Sequence, residues 1–316
     1  MAKGNGSTRR KDGGRRADVL ASRKPIVEEI IGLMEQGDLG WTEPVTGAMA
    51  PHNPVSGCRY RGANRLRLAW AAGKRGWSDP RFMTYNQAMS EGWHVRRGER
   101  GTILEVWKEV LRKDAGREEE GEDERPRRCL CCVGSFTVFN AAQIEGVPEL
   151  DIEPPADSGL EGICEAVKAA APCPVREEGI DGKACYVPAR DEIRIFDRRC
   201  AVSLNMFARV LLHEEVHSTG HSSRLARFEG GCADPFGTEG YAREELVAEL
   251  GAAFLAAELG LPRSSEHAGE AIDHAAQHAS YLSSWASLLK EDGNALFVAA
   301  AQADSAADMI ARTWRK

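Results

Sequence analysis

The sequence predicts an α+β protein of two domains, a small sheet flanked by helices followed by a mostly helical unit. Two runs in the first half, TILEVWKEVL at 102–111 and VGSFTVFN at 133–140, are rich in the β-branched and aromatic residues of strands. After residue 200 the apolar positions recur at helical spacing almost to the end of the chain. Between these regions GVPELDIEPPADSGL, residues 146–160, holds three prolines and two glycines, the composition of a domain boundary. A length of 316 residues leaves room for two such domains.

Taken in order, residues 1–17 are basic and lack apolar periodicity, so a disordered arm is expected there. Residues 18–36 place Val19, Leu20, Ile26, Ile30, Ile31 and Met34 on one helical face, and Gly37 ends the run. NPVSG at 53–57 is a turn cluster. A short helix over 64–75 closes at Gly76, and another over 84–91 has Thr84 as its N-cap and Gly92 just past its end. The segment 113–128 is almost wholly charged and reads as a solvated loop joining the two strands. These elements make a first domain of 18–148, with a linker over 149–159 and a second domain over 160–316. The second domain is expected to begin with a helix near 160–171 and a hairpin over 184–197. Helices over 203–219, 238–259, 264–290 and 294–314 follow, with Ser or Thr at their starts and Gly220, Gly260 and Pro262 at ends.

Composition narrows the class. Apolar residues make up 42% and charged residues 28%, as in soluble globular proteins. No apolar run is long enough to span a bilayer, and none follows the basic N-terminus as a secretory signal would require. A cytoplasmic protein with no membrane partner is expected. Nine cysteines, an odd number, argue against a disulfide framework. CLCC at 129–132 offers one CxxC with no second pair at zinc-finger spacing, and reads as small residues in a buried strand. The net charge of −7 is divided unevenly. Residues 1–110 carry 19 Lys/Arg against 12 Asp/Glu, whereas the remainder carries 22 against 36. The halves differ in electrostatic character, and such asymmetry is itself a hint of function.

The second half supplies the strongest chemical signal. LLHEEVHSTGH, at 211–221, contains HExxH: His213, Glu214 and His217. The opposite helical face carries Leu204, Phe207, Ala208 and Leu211. Residues i and i+4 stack on one side of a helix, so both imidazoles can reach one zinc ion, or another divalent metal. Glu214, beside the first ligand, can then act as base toward water. A third protein ligand is required. Glu245 in EELVAE is the first choice, with Glu249 one turn later placed to accept a hydrogen bond from a ligand imidazole. Glu244 and His221 are the alternatives. A histidine or tyrosine that steadies the tetrahedral intermediate is expected nearby; His221, Tyr241, His274 and His278 are in range by sequence only, and the role is assigned to none of them. The segment 222–237, with four residues of Gly or Pro, is expected to form a mobile rim.

Residues 59–100 interleave cations with aromatics. Arg59, Arg61, Arg65, Lys74, Arg75, Arg81, Arg96, Arg97 and Arg100 are the candidate phosphate contacts, and Tyr60 and Trp77 the candidate stacking rings. Cations that track a backbone and rings that stack on bases suit single-stranded nucleic acid read without sequence preference. No duplex-reading motif is visible.

These motifs resemble the ArdC-type antirestriction family. NPVSGCRYRGAN, GWSDPRFMTYNQA, GWHVRRGERGT and FTVFNAAQIEGVP are similar to its single-strand-DNA-binding domain, also found at the front of TraC-type plasmid primases. LLHEEVHSTGHSSRL, YAREELVAELGAAFL and HASYLSSWASLLK are similar to its zincin-like metallopeptidase domain. The resemblance runs from about residue 18 to the C-terminus in motif order and leaves out only the arm and the charged loop. It implies unspecific binding of single-stranded DNA and protection of incoming plasmid DNA from restriction enzymes. It also implies a thermolysin-like centre with His213, His217 and Glu245 as ligands and Glu214 as base. Cleavage of a protein substrate is implied less directly, because a metal-bearing fold can persist as scaffold.

Overall fold

The computed structural model describes residues 21–37, 50–112, 127–150, 157–178, 183–201, 203–228, 234–235, 237–261 and 272–314. Within them, the side chains of 111–112, 127–130, 157–158 and 272–280 are not described. The expected basic arm, most of the charged loop and of the linker, part of the 222–237 rim and the start of the 264–290 helix lie outside the described residues.

The chain is α+β. Helix α1 (Lys24–Glu35) starts with Pro25 in its first turn, where a missing N–H costs nothing. Helix α2 (Gly62–Arg75) ends at Gly76 in the left-handed conformation, with φ +65°. Strand β1 (Phe82–Met83) leads into helix α3 (Tyr85–Ser90), where Thr84 and Gln87 form a capping box. Strands β2 (His94–Val95), β3 (Thr102–Arg112), β4 (Arg127–Asn140) and β5 (Ile144–Glu145) complete the first half. The main sheet has the order β1-β4-β3, and β2 and β5 pair separately.

Strand β4 begins six residues before the predicted 133–140. Arg127 through Cys132 pair antiparallel with Trp107 through Arg112, past a bulge at Val106/Trp107. CLCC therefore lies in a strand, with Cys131 and Cys132 half-buried rather than buried. Pairing with the far end of β3 carries the strand past the run of β-branched and aromatic residues that marks it in the sequence. At the sheet edge, Asn64 of α2 exchanges two 2.8 Å hydrogen bonds with the Glu105 backbone and so substitutes for a neighbouring strand.

In the second half helix α4 (Asp157–Ala170) precedes strands β6 (Val175–Glu177), β7 (Ala184–Val187) and β8 (Glu192–Ile195). Strand β8 is central, parallel to β6 and antiparallel to β7. The predicted hairpin is β7–β8, whereas β6 is too short to leave a period-2 signal. Helices α5 (Leu204–Ser218), α6 (Glu239–Glu258), α7 (Ile272–Glu291) and α8 (Ala295–Ala311) follow.

The two halves share a core. Val27, Ile30 and Met34 of α1 and Leu66, Ala69 and Trp70 of α2 belong to the same buried cluster as Phe207, Leu246, Phe254, Trp285 and Leu296. Helix α2 is buried on opposite sides. Leu68 and Ala72 pack on Phe82, Leu104 and Val138 of the sheet, while Leu66, Ala69 and Trp70 enter the second-half core. The first half keeps two smaller clusters of its own, the one on the sheet and another of Met83, Ala88, Ala141 and Ile144, while α1 and one face of α2 join the second-half core.

Candidate metal centre

The centre is built by α5 and α6. Ser203 caps α5, its Oγ accepting the Met206 N–H at 3.1 Å. Phe207, Ala208, Leu211, Leu212 and Val216 are fully buried, which turns the face bearing His213 and His217 toward α6. Thr238 caps α6 through the Tyr241 N–H. The helices come close at Gly251, where an added Cβ would lie 2.7 and 2.9 Å from the Val216 methyl carbons. Gly251→Ala is therefore expected to cost about 1–3 kcal/mol through overpacking and to weaken metal binding by spreading the two helices. A urea melt and a metal titration that both match wild type would refute this.

One donor atom from each of His213, His217 and Glu245 lies within 4.8 Å of the other two. The Nε2 atoms of His213 and His217 are 3.1 Å apart. Each is 3.5 Å from an oxygen of Glu245. Two imidazole nitrogens and one carboxylate match the donor set of open catalytic zinc sites, so the residues fit a divalent ion. Each ring has a carboxylate on its other side. His213 Nδ1 is 3.5 Å from Glu249 Oε2, and His217 Nδ1 is 3.2 Å from Glu244 Oε1. Glu244, weighed above as a ligand, faces the far nitrogen of His217 instead. His221 Nδ1 is engaged by Ser223, and no His221 atom joins the three-donor group.

The electrostatics are those of a cation site. Burial disfavours charged imidazoles, but Glu245 and Glu249 more than offset this and raise His213 well above its ordinary value. His217 is likewise raised to about 9 against the effect of burial, chiefly by Glu245 and Glu244. Burial pushes the Glu245 carboxyl up, yet His217 and His213 outweigh it and hold it far below the usual range. The surrounding carboxylates thus favour positive charge on or between the two rings, which a divalent ion would supply while displacing any ring proton.

Glu214 is 6% exposed, and its Oε2 accepts the Tyr186 N–H of β7 at 2.6 Å. Tyr186 is held in turn. Its hydroxyl donates to Asp191 at 2.8 Å, and Arg224 binds Asp191 as well. Tyr241 and Tyr281 join through their hydroxyls at 2.9 Å. Burial and the Glu245 charge raise the Tyr241 hydroxyl far above its ordinary range. The side chains of His274 and His278 lie outside the described residues. Sequence reasoning missed Tyr186, Tyr281, Arg224 and Arg227. They reach the centre from a strand, a distant helix and a loop, and no spacing rule links them to HExxH.

The same structure sorts the candidate DNA contacts. Arg65 is buried, with its guanidinium on Glu258, Asp304 and the Phe254 carbonyl. Arg81 is buried against Asp79 and the Pro148 carbonyl. Both are corrections to the sequence reading, because a cation enclosed among acceptors is not available to phosphate. Tyr60 is half-buried, its hydroxyl donating to the Phe82 carbonyl at 2.9 Å. Arg59 pairs with Glu258 and Arg61 with Asp308, both across to the second half. Lys74 pairs with Glu29. Arg75 lies 4.7 Å over the Trp77 ring and donates to the Arg100 carbonyl. Arg96, Arg97 and Arg100 are exposed close by in sequence, Arg96 with Glu99 at 3.8 Å.

Comparison with known proteins agrees with this architecture. Residues 21–139 match the model of the N-terminal domain of anti-restriction factor ArdC, and 164–302 match that of a zincin-like metallopeptidase. The metal-free crystal structure of the antirestriction ArdC protein from the R388 plasmid superposes with a TM-score of 0.67 at 32% identity, covering 92% of this chain and 97% of that one. The chain belongs to the ArdC antirestriction family. The Mn(II)-bound structure of the same relative gives a TM-score of 0.65. The ArdC-type unit also occurs within a larger protein. DNA primase TraC of Escherichia coli is 36% identical over 304 residues, which cover 90% of this chain but 26% of TraC. The chain thus spans about a quarter of that relative's length. Among the described residues no helix is long and apolar enough to cross a membrane.

Proposed function

We propose that this chain is a cytoplasmic plasmid antirestriction protein. In this reading it binds single-stranded DNA without sequence preference and shields incoming DNA from host restriction enzymes. Its second half holds a zinc ion in a peptidase-type site. The observation that carries the second part is the convergence of His213, His217 and Glu245, with Glu214 on the residue after the first imidazole. A bound divalent ion would supply Lewis acidity toward a carbonyl and would acidify water. Glu214 is oriented through one oxygen by the Tyr186 N–H, which leaves the other oxygen to take a proton. The DNA-binding part is supported by Arg75, Arg96, Arg97 and Arg100, which remain exposed after the buried arginines are set aside, beside the half-buried Trp77 ring that Arg75 covers.

A second reading has the metal as a structural pin that cuts no protein. It is favoured by α6, whose Leu246 and Leu250 beside the buried Glu245 lie in the core shared by both halves. Glu214→Gln separates the two. A working peptidase loses about 10²- to 10⁴-fold in hydrolysis of its protein target and keeps metal and oligonucleotide binding. Unaltered protection of transferred plasmids by this variant would favour the structural pin. Replacing Arg96, Arg97 and Arg100 by Ala is expected to lower the slope of log affinity against log salt by about 2, at ~0.7 per phosphate contact on single strands. An unchanged slope would remove these residues from the DNA face.

A further inference from the structure

We infer that Arg227 is a positioning residue of the metal centre, acting through Glu244 on His217 and deciding which of two adjacent glutamates serves as ligand. The inference rests on the metal reading above. After α5 the chain turns back on itself at Gly220, where an added Cβ would lie 2.6 Å from the Phe228 ring. The Arg227 N–H bonds the Gly220 carbonyl at 2.9 Å, which folds the loop under the C-terminal end of α5. From there the Arg227 guanidinium reaches four acceptors. It donates to the Val216 carbonyl at 2.8 Å and to Thr219 Oγ1 at 2.7 Å, both at the end of the HExxH helix. It also donates to Glu244 Oε2 at 2.9 Å and Oε1 at 2.7 Å. Its side chain is 7% exposed, so these bonds are shielded from water. Only a planar fork can satisfy such a set, and an ammonium would reach one or two members at a time.

The consequence for the metal ligands is geometric. Glu244 and Glu245 are neighbours on one helix, and either could approach a cation between the imidazoles. The guanidinium grips both Glu244 oxygens and holds Oε1 3.2 Å from His217 Nδ1. A carboxylate accepts only, so with a cation held between the rings the ring hydrogen belongs on Nδ1, facing Glu244, and Nε2 is the nitrogen turned toward Glu245 and His213. Arg227 thereby keeps Glu244 off the metal and fixes the ring plane and tautomer of His217. It also ties that geometry to the end of the helix that carries His217.

The test titrates the intact chain with Zn(II), and separately with Mn(II), against a competing chelator, beside thermal melts of the metal-free protein. Arg227→Ala and Glu244→Ala are each expected to weaken metal binding about 10- to 100-fold. The double variant should be no worse than the poorer single one, because the two act as one relay. Arg227→Lys should fall between wild type and Arg227→Ala. A role confined to packing would lower the metal-free melting midpoint and leave the affinity of the folded protein unmoved, which would overturn the inference. Losses that multiply in the double variant would also overturn it. If Arg227→Ala does not fold, wild-type affinity in either Arg227→Lys or Glu244→Ala overturns it. Wild-type protein that binds neither ion would sink the metal reading and this inference together, whereas normal wild-type binding with unaffected variants sinks the inference alone.

Discussion

Residues 1–150 expressed alone are expected to show no cooperative thermal transition, although 21–139 match a domain model of their own. Val27, Ile30, Met34, Leu66 and Trp70 lie in one buried cluster with second-half residues. At about 1.5–3 kcal/mol for each large apolar side chain, exposing them costs on the order of 10 kcal/mol, comparable with the whole stability of a typical domain. The cut also strands polar groups. Arg65 loses Glu258, Asp304 and the Phe254 carbonyl, and Arg23 loses Asn294. Circular dichroism melts of the fragment and the intact chain make the comparison. A fragment that unfolds cooperatively near the intact midpoint would show that each half completes its own core.

The second large effect is expected at Glu105, whose carboxylate is fully buried and saturated by donors. Arg23 donates to both its oxygens at 2.8 and 2.6 Å, Arg67 at 2.9 Å and the Trp107 ring at 2.7 Å. Arg23 also lies 4.4 Å over the Phe297 ring and bonds Asn294, so Glu105 ties the first sheet to the start of α8. Glu105→Ala leaves two guanidinium groups buried without their anion and should cost about 3–5 kcal/mol in urea denaturation. The pH dependence has a definite sign. Burial raises the Glu105 carboxyl, but Arg23 and Arg67 outweigh it, so its folded pKa lies below the ordinary value. Its contribution is complete above the unfolded pKa of about 4.3 and is lost as pH falls through the folded value. Wild type should therefore lose stability on acidification in a limb that is shallower in Glu105→Gln. Equal acid limbs, or a loss under 1 kcal/mol in Glu105→Ala, would show that the arginines are satisfied without Glu105.

The amino-acid order alone determined what depends on neighbours a few residues apart. HExxH places two imidazoles on one helical face, because i and i+4 stack whatever surrounds them. Thr84, Ser203 and Thr238 announce helix starts through a hydroxyl and an N–H three residues on. The β7–β8 hairpin and the helical second half follow from periodicity. Tertiary structure decided what depends on groups far apart in sequence. It separated the exposed arginines from Arg65 and Arg81, because an arginine in a helix or beside a turn reads the same whether its partner is water or Asp304. It assigned α1 and one face of α2 to the second-half core, because the apolar stripe on α2 shows that something is buried against it but not which half supplies the partner. It set Glu245 toward the imidazoles and Glu244 behind them. Adjacent helical residues point about 100° apart, and only the packing of α6 on α5, with Arg227 holding Glu244, chooses between them.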